Sequence, residues 1–206
     1  TVNGCNFTKS GVHVHLGEFA MGAAIVGNQV SGELSVVNES HGSVQVGLNS
    51  EVSISEAAVT LAARNRGRFA AQWEGSDCQT TVTTLGGSEC RLMSDLYMLF
   101  GVHDSITGGG AYPRLRVEVE YFDRGQGRFF LEYDSSDDTV EIVPQWPGAF
   151  KASAESVELE NTEEWRTATF VLEDALFADR CNGGDFRITS PETPIAVRAV
   201  RVTRVE

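Results

Sequence analysis

The alternation of apolar and polar residues is clearest between Leu115 and Tyr133. In the first half of this stretch every second residue is apolar, which is the pattern of a strand with one buried side and one solvent-facing side. The alternation resumes at Phe129 after the segment 123–127, where two glycines supply the backbone freedom that a short turn needs. The pattern predicts a β-hairpin at the centre of the fold, with Phe130 on its solvent-facing side.

Short runs of the same alternation recur along the chain at intervals of about ten residues, separated by Gly, Asn and Ser. This spacing is typical of an antiparallel β-sandwich. Glu56–Arg64 also reads as two turns of helix because Ala, Leu and Arg favour helices, but we interpret it as a strand. The predicted strands include Val12–Leu16, Val30–Val36, Val44–Leu48, Val59–Ala63, Thr80–Thr84, Leu96–Val102, Val140–Val143 and Ile195–Val205.

Composition narrows the class of protein further. The chain has 206 residues, of which 41% are hydrophobic and 22% charged, as expected of a folded domain rather than a disordered one. No apolar run approaches the roughly 18 residues of a membrane span, so membrane insertion is not expected. The net charge of −13 argues against nucleic acid as a partner, because phosphate contacts need clustered Lys and Arg.

The cysteines and the first residue favour an exported protein. Since the chain begins at Thr1 rather than Met, we expect a mature form without its signal peptide, located outside the cell or at its surface. The widely spaced cysteines lack the CxxC pairs of zinc sites and predict two disulfides, for which three connectivities exist. These cysteines are Cys5, Cys78, Cys90 and Cys181.

Two tripeptides have the form of N-glycosylation acceptors. They begin at Asn6 and Asn38. Their use depends on export through a glycosylating compartment.

Several motifs in the second part of the chain share a pattern with a known group of domains. These are Gly86–Arg91, Tyr121–Asp123, Tyr133–Ser135, Asn161-Thr162 followed by Trp165, and Asn182–Ile188. Together they resemble the β-jelly-roll, carbohydrate-binding-module-like domains of bacterial secreted glycoside hydrolases and polysaccharide lyases. The resemblance covers about residues 80–206. It implies a noncatalytic sandwich that associates with glycans, and it names no sugar.

The resemblance does not extend over the beginning of the chain. We therefore divide the protein into two regions. We expect residues 71–206 to form the jelly-roll domain. Residues 1–70 are predicted to be an N-terminal β-strand region, which forms either a small sandwich or a strand donated to a neighbour.

Aromatic side chains are the candidates for glycan binding, because their apolar faces stack on sugar rings at little entropic cost. Phe130 is predicted to face solvent, and Trp73 and Trp146 lie in loops or at strand ends. Trp165 is expected to pack at the edge of the core. Trp146, between Pro144 and Pro147, is the tryptophan expected to be most exposed.

Acidic residues are the candidates for a structural calcium ion, which is bound by carboxylate and backbone oxygens. The candidates by residue type are Asp134, Asp137, Asp138 and Asp185. They lack the regular spacing of an EF-hand loop, so a solvated acidic turn is the alternative reading.

Three functions remain open from the sequence, and the first is a noncatalytic extracellular protein that binds carbohydrate. The second is a structural subunit of a filament or surface layer, a homopolymer in which Val12–Leu16 adds to the sheet of a neighbouring copy. The third is a polysaccharide lyase or glycosidase. No local catalytic motif is present, so catalytic residues would come from distant strands. The available groups are Tyr97, Arg116, Glu118 and Glu120.

Overall fold

The chain forms two compact units, residues 1–55 and residues 56–206. The computed structural model describes residues 55–75 and 77–205, and before them residues 2–3, 6–7, 14–16, 23–26, 29–30, 36–38, 44–47 and 50–51. Each unit is built from β-strands. In the described residues the one helix is a 3₁₀ turn at Asp104–Ile106, and no helix there is long and apolar enough to cross a membrane.

The described residues of the first unit are short strands that pair in parallel. Among these residues the strands form three ladders, with the strand orders β1-β4-β7, β2-β5-β8 and β3-β6. The strands are β1 (Val2–Asn3), β2 (Asn6–Phe7), β3 (Val14–Leu16), β4 (Ala23–Val26), β5 (Gln29–Val30), β6 (Val36–Asn38), β7 (Val44–Gly47) and β8 (Ser50–Glu51).

This parallel pairing differs from the antiparallel arrangement that the sequence predicted for the N-terminal region. The predicted donor strand Val12–Leu16 contains β3, which pairs with β6 of the same chain, and Val14 is buried. The structure therefore does not support a strand that is free for donation to a neighbour. The predicted run Val30–Val36 meets β5 at Val30 and β6 at Val36, and its residues 31–35 lie outside the described residues. The predicted run Val44–Leu48 contains β7.

The second unit is a sandwich of two antiparallel sheets, which confirms the predicted fold class. The larger sheet contains β9, β10, β12, β13, β15, β18 and β20, and the smaller sheet has the order β11-β14-β19-β16-β17. The strands are β9 (Glu56–Thr60), β10 (Arg66–Arg68), β11 (Ala70–Trp73), β12 (Thr80–Leu85), β13 (Ser88–Met93), β14 (Tyr97–Val102), β15 (Leu115–Asp123), β16 (Arg128–Tyr133), β17 (Lys151–Glu158), β18 (Glu164–Leu172), β19 (Phe186–Thr189) and β20 (Ala196–Arg204).

The strands 56–68, which the sequence assigned to the N-terminal region, belong to this sandwich. β9 is indeed a strand and pairs with β20 over residues 199–203, while β10 pairs with β9. The compact unit therefore begins at Glu56 rather than near residue 71.

The predicted central hairpin is wrong in its pairing, although both strands exist. β15 pairs with β18 and β20 in the larger sheet, whereas β16 pairs with β17 and β19 in the smaller one. The turn at 124–127 therefore carries the chain from one sheet to the other. The inward residues of the two strands meet across the sandwich, where the rings of Tyr121 and Phe129 lie 4.8 Å apart. Period-two alternation fits both arrangements, so it could not distinguish them.

The core lies between the inward sides of the two sheets. Leu115, Val117 and Val119 of β15 are fully buried, and Phe129 packs edge-on against Phe170 of β18 with ring centroids 6.0 Å apart. In the smaller sheet, Phe100 stacks on its cross-strand partner Phe186 with centroids 5.1 Å apart. Burial of these large side chains is the main favourable term in folding.

Replacing Phe129 and Phe130 separately tests this division into inward and outward sides. Phe129→Ala should lower the free energy of unfolding by about 3–5 kcal/mol, because it leaves a cavity in the core. Phe130→Ala should cost about 1 kcal/mol or less, since that ring lies on the outward side. Urea unfolding of both variants measures the difference, and equal losses would contradict the assignment of sides.

Candidate functional site

A row of side chains crosses all five strands on the outward side of the smaller sheet. Backbone register places Trp73 beside Leu99, Leu99 beside Arg187, and Arg187 beside Glu132. Ala152 of β17 completes the row next to Glu132. Paired residues project to the same side of a sheet, so these five side chains are neighbours although they are distant in sequence.

Trp73 is held over a glycine of the neighbouring strand. A Cβ atom at Gly101 would lie 2.8 Å from Nε1 of the indole and about as close to two further ring atoms. The absence of a side chain at Gly101 lets the indole approach the backbone of β14. Trp73 nonetheless remains 47% exposed, so it offers apolar ring surface to solvent.

A charged pair lies in the middle of the row. Arg187 donates from Nε to Glu132 Oε2 at 2.7 Å, and the same carboxylate oxygen accepts from the Thr189 hydroxyl at 2.6 Å. The guanidinium carbon also lies 3.8 Å from the ring centroid of Tyr97 and 4.4 Å from that of Phe150. Rings and carboxylate together fix the arginine side chain.

A second row on the same side carries two more rings. Tyr97 is the cross-strand neighbour of Thr189, which in turn neighbours Phe130. Tyr97 and Phe130 are both half-exposed. We call the resulting surface the aromatic face and define it by Trp73, Tyr97, Phe130, Arg187 and Glu132. It combines apolar rings with fixed polar groups, the composition typical of small-molecule and glycan sites.

The outward side of the larger sheet carries a different feature, a polar groove of about 610 Å³. A β-bulge in β20 projects Arg198 onto this side, where its Nε donates to Glu120 at 2.6 Å. The arginine also covers Trp165, with its guanidinium carbon 4.5 Å from the ring. Further lining residues include Thr60, Ser88, Glu89, Glu118, Thr167 and Arg201.

The aromatic face suits ring stacking better than the groove does. Trp165 is half-buried, packs on Phe122 with centroids 5.3 Å apart, and donates from Nε1 to the Leu85 carbonyl at 3.1 Å. Because Arg198 covers its ring, Trp165 offers little free surface for a ligand. Its position matches the prediction that it packs at the edge of the core.

The four residues named for catalysis do not come together. Tyr97 belongs to β14 of the smaller sheet, whereas Arg116, Glu118 and Glu120 belong to β15 of the larger sheet. Glu120 is already paired with Arg198. The core of the sandwich separates the tyrosine from the other three.

Two of the three predicted glycan-binding residues, Trp73 and Phe130, share the aromatic face. The third, Trp146, is 51% exposed, as predicted for its position between two prolines, but it lies in the loop before β17. The sequence analysis missed Arg187, Glu132 and Gly101 as parts of this surface. Alternation alone could have assigned Arg187 and Glu132 to the outward side, but their pairing depends on the register of β16 and β19.

Of the four aspartates proposed for calcium, three accept hydrogen bonds from other groups of the protein and the fourth is exposed. Asp134 is buried and accepts hydrogen bonds from the Arg180 side chain and from the Ala178 amide. Asp137 pairs with Lys151 at 2.8 Å, and the hydrogen bonds from Lys151 and Thr139 lower its pKa to about 2. Carboxylates whose oxygens bind cationic donors compete poorly for a metal ion.

Asp185 is fully buried, as is Asp134. Its two oxygens accept from the backbone amides of Val102 at 2.6 Å and Asp179 at 3.1 Å. Asp138, in contrast, is exposed. In residues 55–75, 77–205 and the short N-terminal strands, no group of three or more His, Cys, Asp or Glu could hold a metal ion. The structure does not gather these four aspartates into one cluster, and calcium binding stays a prediction.

The prediction of two disulfides is wrong for three of the four cysteines. Cys78, Cys90 and Cys181 are buried free thiols, while Cys5 lies outside the described residues. Cys90 packs with Phe122 and Ala196 on the outward side of the larger sheet. Cys181 packs in a separate cluster with two loop residues, Ala149 and Phe150. Cys90 and Cys181 thus belong to different clusters.

The two predicted glycosylation acceptors lie in the first unit. Asn6 is in β2 and Asn38 is the last residue of β6. Their glycosylation stays a prediction.

Comparison with known proteins yields matches among solved structures only. No protein-family model matches the chain, and no curated protein matches it significantly. A carbohydrate-binding module (CBM6cm-2) of Cellvibrio mixtus lichenase 5A, solved with cellotriose, aligns at 11% identity and a TM-score of 0.38, covering 74% of this chain and all of the module.

Two further modules give similar values. The family 29 module CBM29_1 of Piromyces equi aligns at 12% identity and a TM-score of 0.42, covering 73% of this chain and 92% of the module. The module CBM1 of BiXyn10A aligns at 10% identity and a TM-score of 0.41, covering 76% of this chain and all of the module. These three structures are carbohydrate-binding modules, and at these values the likeness assigns neither a family nor a ligand to the chain.

The buried carboxyl of Asp185 should make stability depend on pH. Burial raises its pKa from an ordinary value near 4 to about 7, so the folded state binds this proton more tightly than the unfolded state. Its contribution to stability is therefore present below pH 4 and lost as the pH rises through 7. Between pH 5 and pH 8 the protein should lose on the order of 2 kcal/mol from this group.

Asp185→Asn should remove that part of the pH dependence, although the amide also loses one hydrogen bond and lowers stability at every pH. Denaturant unfolding at pH 5 and pH 8 for both proteins measures the difference. Parallel pH profiles would show that Asp185 does not titrate in this range.

The free thiols give a direct chemical test of the corrected disulfide prediction. Protein unfolded in guanidinium without any reductant should react with Ellman's reagent at three or more thiols per chain. In the folded protein the reaction should be slow, because burial raises the pKa of Cys181 to about 12 and shields its sulfur. No reactive thiols in the unfolded, unreduced protein would restore the disulfide prediction.

Proposed function

We propose that the protein is a noncatalytic glycan-binding protein of the extracellular space or cell surface, and that the aromatic face binds the glycan. The observation that carries this proposal is the convergence of the exposed ring of Trp73 and the half-exposed ring of Phe130 on one polar pair, whose Arg187 lies over the ring of Tyr97. The rings of Trp73, Tyr97 and Phe130 come from three different strands of the smaller sheet. The resemblance to carbohydrate-binding-module-like domains is consistent with it.

The chemistry of a sugar ring matches this surface. Axial C–H groups form an apolar patch that stacks on an aromatic ring, and the indole of Trp73 offers the largest such surface here. Sugar hydroxyls need donors and acceptors that are already in place. The guanidinium of Arg187 and the carboxylate of Glu132 supply both, and their side chains are only 14% and 15% exposed, so little mobility is lost on binding.

The charge of the protein favours a neutral glycan over an anionic one. The net charge of −13 repels polyanions at low ionic strength. Arg187, which lies at the centre of the aromatic face, is neutralised by Glu132 at 2.7 Å. We therefore expect neutral polysaccharides to bind in preference to polymers of uronic acids.

A binding role also fits the acidic groups better than catalysis does. Glycosidases generally use two carboxyl groups flanking the scissile bond. In the two rows that form the aromatic face, Glu132 supplies one carboxylate, and its Oε2 oxygen is already shared by Arg187 and Thr189. This arrangement supports recognition without hydrolysis.

Two substitutions at the aromatic face test the proposal. Trp73→Ala should weaken binding to a soluble neutral polysaccharide at least about tenfold, since it removes the main stacking surface. Gly101→Ala should weaken binding as well, because its new Cβ would displace the indole while changing stability little. Affinity gel electrophoresis with xylan, glucomannan and mixed-linkage β-glucan measures both effects, with polygalacturonate as the anionic comparison.

Trp146→Ala provides the matched control, because Trp146 is equally exposed but lies in a loop. It should leave binding unchanged. Loss of binding in Trp146→Ala with full binding in Trp73→Ala would show that the glycan binds at the loop instead of the aromatic face. Binding of none of the polysaccharides by the wild-type protein would argue against the proposed function itself.

A further inference from the structure

The outward side of the larger sheet carries an apolar patch near the end of β15. Alternation along this strand places Phe122 on the same side as Glu118 and Glu120, where a polar residue is expected, yet Phe122 is only 7% exposed. Backbone register places Ala196 beside Phe122, and Leu92 beside Ala196. Apolar residues of three neighbouring strands thus meet on a side of the sheet that carries charged residues elsewhere.

The patch belongs to a pocket of about 310 Å³, which we call the apolar pocket. A cavity of roughly 150 Å³ holds a benzene ring, so this volume accommodates one ring with a short side chain. Predominantly apolar clefts with a few polar groups are typical sites for small molecules. The residues that line the apolar pocket are Thr83, Leu85, Leu92, Phe122, Arg124, Gly125, Thr193, Pro194 and Ala196.

Hydrogen bonds hold the loops that line the apolar pocket. The backbone amide of Gly125 donates to Asn161 Oδ1 at 2.7 Å. The Thr193 hydroxyl donates to the Gln126 carbonyl, and the Ser190 hydroxyl donates to the Thr193 carbonyl at 2.5 Å. The loop before β16 and the loop before β20 are therefore linked to each other. A ligand would find the pocket already formed, so little ordering of the protein opposes binding.

Arg124 carries the charge among the described residues that line the apolar pocket, and none of those residues is acidic. Arg124 is exposed, and within the described part of the chain no ion pair or hydrogen bond engages its side chain. Arg91, Arg187 and Arg198, in contrast, each pair with a glutamate. In a protein of net charge −13, an unpaired guanidinium beside an apolar pocket favours an apolar ligand with one negative charge.

We propose that the apolar pocket binds a small aromatic carboxylate, with the ring against Phe122 and the carboxylate on the guanidinium of Arg124. The planar guanidinium matches a carboxylate in two parallel hydrogen bonds. Phe122 already packs edge-on against Trp165 with ring centroids 5.3 Å apart, and a ligand ring extends such contacts. A ring also loses less conformational freedom on binding than a flexible chain does. The site lies on the opposite sheet from the aromatic face and does not rest on the proposed glycan binding.

Titration of the isotope-labelled protein with hydrocinnamate, followed by the backbone amide signals, tests the proposal. The amides of Leu85, Leu92, Gly125 and Ala196 should shift with a dissociation constant on the order of 0.1–1 mM, as expected of so small a ligand. Hydrocinnamyl alcohol keeps the ring without the charge and should bind at least about fivefold more weakly. Octanoate keeps the charge without the ring and should also bind more weakly than hydrocinnamate.

Three variants locate the binding. Arg124→Gln should weaken the binding of hydrocinnamate at least about fivefold and leave that of the alcohol unchanged. Arg201→Gln is the matched control, because Arg201 is also exposed on the outward side of the larger sheet but lines the polar groove, and it should change neither affinity. Thr83→Phe should abolish the binding of both ligands, because the added ring fills the apolar pocket.

Absence of amide shifts up to about 10 mM hydrocinnamate would overturn the proposal. Equal affinity of the wild-type protein and Arg124→Gln for hydrocinnamate would overturn it as well, and this variant replaces an exposed side chain, so the comparison stands even if Thr83→Phe fails to fold. Octanoate binding as tightly as hydrocinnamate would overturn the assignment of an aromatic ligand. Unchanged binding in folded Thr83→Phe would show that the carboxylate binds elsewhere.

Discussion

The second unit depends on the burial of two apolar sheet surfaces against each other. Each sheet has one apolar inward side, and that side is shielded from water only when the other sheet packs against it. β15 supplies the inward residues of the larger sheet and β16 those of the smaller sheet, so the short turn at 124–127 joins the two layers. The contacts of Phe129 with Tyr121 and Phe170 show how residues on both sides of that turn form one core.

The outward surfaces follow from the same constraint. Once the inward positions are fixed, the alternate residues of every strand must face solvent, and strand register decides which of them become neighbours. In the smaller sheet this brings together Trp73, Arg187 and Glu132 from three distant parts of the chain. In the larger sheet a bulge at Arg198 turns an additional side chain outward and covers Trp165.

Loops of the second unit are held by buried polar groups rather than by disulfides. Asp134 binds Arg180, whose guanidinium also donates to the carbonyl oxygens of Pro147 and Ser135. Asp123 plays a similar part elsewhere, since it accepts hydrogen bonds from the amides of residues 160–162. Buried carboxylates without such partners would be costly, so each defines the conformation of the loop that satisfies it.

Alternation along the sequence determined the all-β class and the inward and outward sides of strands such as β15 and β16, because side chains of a strand alternate whatever its partner. It also assigned Phe130 to solvent. Which strands pair was decided only by the tertiary structure. A hairpin and a connection that crosses between sheets show the same alternation of apolar and polar residues. Parallel and antiparallel strands also show the same alternation. For the same reason the sequence could not show that the folded chain brings Arg180 to Asp134 and backbone amides to Asp185. The sequence therefore determined which side each residue faces, and tertiary contacts determined what it meets there.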